Sequence, residues 1–289
     1  MKLLLCKIGV VGAAVLIFIS LGNIFGQDKS EIKPLHKMHF YEQTLFLKAL
    51  ALLPTPSPFS YKLRGGIIPH HLLPSDMIAR FFQKISLQNP KTIILIGPNH
   101  YERGLSKVLI SDRGWETPFG VLQPDEAVID KLTSQKKVDI DYEVVEYEHS
   151  VAGIMPFIKH FIPQAKVVPL VLKSAVILDE LSYLAESIKN IMAPDTIIIA
   201  PVDFSHYLTS SEAQRNDKIT WEAIKNYDFR RIKLMNNDYL DSPASIILTM
   251  ILMQKLGSTQ IALFENTNSG VIMGDLYAPT TSYFSIGFY

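Results

Sequence analysis

The sequence predicts a three-layer α/β/α sandwich around a mostly parallel sheet. Two observations carry that expectation. Short apolar runs rich in β-branched residues, such as "TIILI" at 92–96 and "TIIIA" at 196–200, show no alternation with polar residues. A strand of that kind is buried on both faces, as in parallel sheets covered by helices. Between such runs lie segments whose apolar residues recur at helical spacing. The chain has 289 residues with 48% hydrophobic and 19% charged. That composition suits a globular domain with a sizeable core.

In chain order, "HFYEQTLFLKALALL" has helical periodicity and stops at "PTPSPF", where three closely spaced prolines forbid continuation. Strands are expected at 66–68, 92–96, 107–110, 167–172 and 196–200, and again in the terminal "SYFSIGFY". Helices are expected in "SDMIARFFQKI" with Ser75 as N-cap, in "PDEAVIDKLTS", in "ILDELSYLAESIKNIM" and in "SEAQRNDKITWEAIKNY". "SPASIILTMILMQKLG" reads as a buried helix closed by Gly257. "WETPFG" reads as a rigid turn covered by Trp115. No internal repeat or low-complexity tract interrupts a single domain at 36–289.

Residues 1–35 are set apart as a signal anchor or signal peptide plus linker. Lys2 and Lys7 precede a run without charge at 8–25. Eighteen helical residues span roughly 27 Å, near the thickness of a bilayer's hydrocarbon core. The expectation is a membrane-anchored chain with its domain exported, or a secreted one if cleavage follows Ser20 and Gly22. Twenty-eight basic residues balance twenty-eight acidic ones, so no nucleic-acid footprint is present. The single cysteine, Cys6, excludes an internal disulfide framework and a Cys-based zinc site.

Three expected strands end on the same kind of residue. "GGIIPHH" delivers His70 and His71, "IILIGPNH" delivers His100, and "IIIAPVDFSH" delivers Asp203 and His206. Ligands of open α/β sheets bind beyond the carboxyl ends of the strands. One rim could therefore gather these imidazoles into a metal site, completed by a nearby carboxylate. The alternative is that they are loop histidines bonded to water or backbone. In "EYEHSVAGIMPF", Glu148 and His149 precede a helix that Ser150 could cap. Asp203 could fix the tautomer of His206, a general-base arrangement. P-loop, GxSxG, HExxH and dinucleotide fingerprints are absent.

Taken together and in this order, "GGIIPHH", "IILIGPNHY", "WETPFG", "EHSVAGIMPF", "VVPLVL", "IIIAPVDFSHY" and "SYFSIGFY" resemble the Memo family, also known as AmmeMemoRadiSam system protein B. The resemblance runs from about Phe40 to the C-terminus. It implies a fold like that of class III extradiol dioxygenases, whose non-haem iron is held by two histidines and a carboxylate. Carried over position by position, His70 and His100 become metal ligands. Asp203 and His206 line the pocket, with His206 as acid and base, and Glu148 and His149 lie close by. Where many family members carry a cysteine ligand, this chain has "DSPASI", which places Asp241 there. Helix capping is the competing role for Asp241.

The resemblance thus implies a non-haem metal centre, with Fe(II) foremost and another divalent ion or copper as alternatives. It would act on a small-molecule substrate in the manner of an iron-dependent oxidoreductase. The alternatives are a non-catalytic module that binds metal or a peptide, and metal-assisted hydrolysis.

Overall fold

The computed structural model describes residues 33–289 apart from residue 136. The apolar run at 8–25 lies outside the described residues. Among the described residues no helix is long and apolar enough to cross a membrane. The chain begins with α1 (Gln43–Ala51), β1 (Gly65–Ile68), α2 (Ser75–Ser86) and β2 (Thr92–Pro98). Short elements follow: β3 (Val108–Ile110), the hairpin β4 (Trp115–Thr117) and β5 (Gly120–Leu122), α3 (Glu126–Thr133) and β6 (Asp139–Ile140). Next come α4 (Tyr142–Glu146), α5 (His149–Ala152), α6 (Met155–Phe161), β7 (Lys166–Leu172) and α7 (Leu178–Ile191). β8 (Thr196–Pro201), β9 (His206–Leu208), α8 (Ser210–Lys225), α9 (Phe229–Lys233) and α10 (Pro243–Lys255) continue the chain. It closes with β10 (Ile261–Asn268), α11 (Ser269–Met273) and β11 (Thr280–Phe288).

The main sheet has the order β10-β11-β1-β8-β2-β7-β3-β6, with β9 added against β11. Its centre, β1-β8-β2-β7, is parallel throughout. β11 joins β1 antiparallel, and β3 joins β7 antiparallel. The mostly parallel sheet expected from the apolar runs is therefore its central part.

Those runs lack alternation because both faces are covered. Side chains of a strand point alternately to opposite faces. Ile94 and Ile96 of β2, with Ile198 and Ala200 of β8, enter a core shared with α3, α7 and α10. Ile93 and Leu95, with Ile197 and Ile199, enter the other, shared with α1, α2 and α6. Gly66 marks the tightest contact: a Cβ there would run into the Phe81 ring and lie 2.8 Å from the Ile286 carbonyl oxygen.

α10 is buried along ten consecutive residues from Ala244 to Met253, as expected of a helix apolar on every side. Gly257 ends it at φ +71°, with its N–H donating to Gln254 O and that of Ser258 to Met253 O. Two capping expectations are corrected. Ser75 lies inside α2, with Pro74 at the cap and the Ser75 hydroxyl turned back to Leu72 O. Glu148, rather than Ser150, caps α5.

Candidate metal centre

Sheet order places three functional loops side by side. β8 lies between β1 and β2, so the three carboxyl ends stand in a row, each about 4.8 Å from the next. His70 follows β1 by two residues, Asp203 follows β8 by two, and His100 follows β2 by two. The fourth contributor, Asp241, precedes α10 and is tied to the β8 loop. Its N–H donates to Asp203 O at 3.1 Å, and its Oδ2 accepts from Asp203 N at 3.3 Å. Capping of α10 falls to Ser242, whose Oγ accepts from Ser245 N at 3.2 Å. Asp241 is thereby free of the capping role.

Each ring is turned by a bond to its rear nitrogen. His70 Nδ1 lies 3.1 Å from Pro201 O. A carbonyl only accepts, so Nδ1 carries the proton and the neutral ring presents the Nε2 lone pair. That Nε2 faces Asp203 Oδ2 and Asp241 Oδ2, both at 3.5 Å. His100 Nδ1 lies 2.8 Å from Glu148 Oε1, and its Nε2 is 3.5 Å from the same Asp241 Oδ2. Glu148 also accepts from His100 N at 2.9 Å and Ser150 N at 3.0 Å. A carboxylate or carbonyl behind each imidazole is the usual support of a metal-binding histidine.

Burial disfavours the charged form of His100, but hydrogen bonds to Asp241 and Glu148 outweigh it and push the ring up to about 10. Burial likewise raises Glu148, yet its bond to His100 and that ring's charge hold it down at about 2. His149 is lowered to about 4 by burial and by the nearby His70 and His100. Without an ion, then, the proton on His100 supplies the positive charge between two carboxylates.

The donor set fits a metal ion. Two ligands about 2.1 Å from an ion and about 110° apart stand about 3.4 Å from each other. The two 3.5 Å separations around Asp241 Oδ2 match that chord. Asp241 Oδ1 is buried without a hydrogen-bond partner. Donor atoms of His70, Asp203 and Asp241 lie within 4.8 Å of one another, and so do those of His70, His100 and His149.

His149, read from the sequence only as a pocket neighbour, thus brings a ring nitrogen within 4.8 Å of those of the two histidines. Its ring stacks on His100 at 4.1 Å between centroids. The "EHS" motif held that signal, but the 48 residues between His100 and Glu148 concealed the contact. His71 turns away: its Nδ1 lies 2.6 Å from Tyr283 Oη, and burial lowers its pKa. His206 is placed differently from expectation. No hydrogen bond or ion pair joins it to Asp203 among the described residues. Asp203 Oδ1 instead accepts from His70 N at 3.1 Å and His71 N at 3.4 Å, holding the β1 loop. The ring of His206 has a buried, unpartnered Nδ1 and lines a cavity of about 240 Å³ with His100 and Asp241. A second cavity, about 630 Å³, is lined by His70, His71 and His149.

Fold and site together define an α/β protein with a histidine–carboxylate centre on the carboxyl rim of its parallel strands. Residues 40–286 match the family described as Memo-like protein, and the chain belongs to that family. A MEMO1 family protein of Methanosarcina barkeri is 31% identical over 225 residues, covering 74% of this chain and 82% of the relative. One from Caldivirga maquilingensis is 29% identical over 233 residues, covering 77% and 82%. The fold is shared with the crystal structure of an uncharacterized Escherichia coli K12 protein. That match has a TM-score of 0.52 and 12% identity, covering 76% of this chain and 99% of the other.

Proposed function

We propose that this protein holds one divalent ion, iron(II) foremost, on His70, His100 and Asp241, and acts there as a non-haem oxidoreductase on a small organic substrate. The observation that carries this reading is the convergence of Asp241 Oδ2, at 3.5 Å, on the Nε2 atoms of both histidines. Two imidazoles and one carboxylate form the facial set of non-haem Fe(II) oxygenases. Held by His70, His100 and Asp241, an iron(II) ion would supply the redox chemistry between a substrate and O2.

The chain's own residues have separate tasks in this reading. Glu148 and the Pro201 carbonyl fix the ring tautomers, which keeps each Nε2 available. Asp203 fixes the loop that carries His70. His206 accepts or returns a proton at Nδ1, the buried atom that has no partner of its own.

A second reading rests on His149. A set of three histidines is the donor set of zinc hydrolases, in which a metal-bound water is the nucleophile. Metal content of the full chain after anaerobic loading separates the two. His70→Ala and His100→Ala lower retained metal in both readings. Loss in Asp241→Ala with retention in His149→Ala supports the iron reading, and the reverse supports the zinc reading. His206→Ala should keep its metal; equal loss there makes His206 a ligand. Metal retention without O2 consumption on any substrate supports a non-catalytic module that stores metal or holds a peptide.

A further inference from the structure

The cavity on the His149 side is not a simple bowl. Leu45, Leu72, Leu73 and Met273 line it together with His70 and His149. The aromatic rings of Phe40 and Tyr101 and the polar His39, Glu42 and His71 also line its wall. A second cavity of about 180 Å³ shares Leu45 and Leu73 with it and continues to Leu52 and Ile272. The two form one groove, with α1 on one side and α11 on the other. A volume of about 630 Å³ is that of a site for a drug-sized molecule. Of the charged side chains along it, Glu42 and Lys48 are exposed, and Asp76 is paired with Arg80 at 2.8 Å. None is buried in want of a charged partner. At Met273, which is 72% exposed, the apolar lining reaches solvent.

We propose that the ligand of this centre is an amphiphile, with a polar metal-coordinating head beside His70 and His149 and an extended apolar tail in the groove between α1 and α11. The assignment rests on the metal reading above and adds the class of molecule. A polar head alone would leave most of the groove to water. A tail laid along Leu45, Leu72 and Leu73 removes apolar surface of both partners from water, which is the driving force such a groove offers. The exposed Met273 and Ile272 leave the lining open to solvent, so a tail longer than the cavity is not blocked.

Acetohydroxamate and octanohydroxamate test this, because they share one chelating head and differ by six methylenes. The full chain is loaded with Co2+, whose visible absorption reports coordination of the head. Each methylene withdrawn from water tightens binding about fourfold, so burial of little more than half the tail makes octanohydroxamate about 100-fold the tighter ligand. Leu45→Gln and Met273→Gln, each checked by thermal melting, should cut that ratio at least about tenfold. Equal affinity of the two hydroxamates overturns the groove and leaves the metal reading standing. A ratio indifferent to both substitutions places the tail elsewhere and also overturns it. Failure of the protein to take up Co2+, or of acetohydroxamate to reach it, removes the centre and the amphiphile with it.

Discussion

Raising the pH from 6.5 to 8.5 should tighten the binding of a divalent ion to this protein about 100-fold, since one proton is displaced per ion bound. The proton sits on His100. Burial opposes its charge, and the bonds to Asp241 and Glu148 hold it there up to about 10. At pH 7 an ion must therefore displace a proton held three units more tightly than the solution demands, a cost of about 4 kcal/mol. Each unit of pH returns about 1.4 kcal/mol of it. The other shifted groups stay silent across this window, because Glu148 ionises near 2 and His149 is neutral above about 4. Competition titration with Zn2+ against a chromophoric chelator gives the affinity, and an indicator dye in weak buffer counts the proton. The ion-free fold should move the opposite way. His100 lies above its ordinary 6.5, so its contribution to folding is complete below that pH and is lost as the pH climbs through about 10. An affinity that stays flat from 6.5 to 8.5, with no proton released, refutes the placement of an ion at His100 Nε2.

Asp241→Cys should shift selectivity towards Cu(I) and Zn2+, because a thiolate is the softer ligand, and competition titrations with both ions and Fe(II) read the change. Asp241→Ala should weaken metal retention, and the stability it costs the ion-free protein should shrink as the pH climbs through about 10, because Asp241 bonds to the protonated His100 while Ser242 caps α10. Denaturant unfolding of the ion-free protein checks this. Gly66→Ala should destabilise the fold by about 1–3 kcal/mol, because the new methyl meets the Phe81 ring and the Ile286 carbonyl in a packed core. A chemical melt within 0.5 kcal/mol of wild type, on the order of an exposed substitution, counts against that packing. The apolar run at 8–25 predicts retention in the pellet after alkaline carbonate washing, whereas a shortened soluble product shows cleavage instead.

Central strands were legible because burial on both faces leaves an unbroken apolar run, as in "TIILI" and "TIIIA". β10 was not, since "IALFENTN" alternates too weakly: it pairs on one side with β11 and is only partly buried. The hairpin of β4 and β5 hid in "WETPFG", where three-residue strands give no period to read. Caps failed where a serine's hydroxyl found a nearer carbonyl, Leu72 O for Ser75 and Pro98 O for Ser150. In the site, the arrival of His70 and His100 on one rim could be read from the strand ends, while their role as ligands was implied only by the family resemblance. The bond of Glu148 to His100 and the turning of Asp203 towards His70 could not be read, because both join residues remote in sequence. The expected partnership of Asp203 with His206 came from their closeness in the chain. Asp203 found two backbone donors and an imidazole at the neighbouring strand end instead.

The insertion of β8 between β1 and β2 has a consequence for how the centre comes into being. His70 and His100 emerge from the ribosome early, but the strand that separates and aligns their loops follows about a hundred residues later. Until residues 196–201 occupy that slot, β1 and β2 have no shared partner, and Asp203 cannot grip the His70 loop across its 133-residue separation. Long-range pairings of this kind form late and slowly. On the proposed metal reading, a nascent chain would carry the two imidazoles as scattered ligands, and ion selection would begin only once the whole sheet has closed. If the chain is threaded across a membrane before folding, the identity of its ion is decided by the compartment in which β8 finds its place.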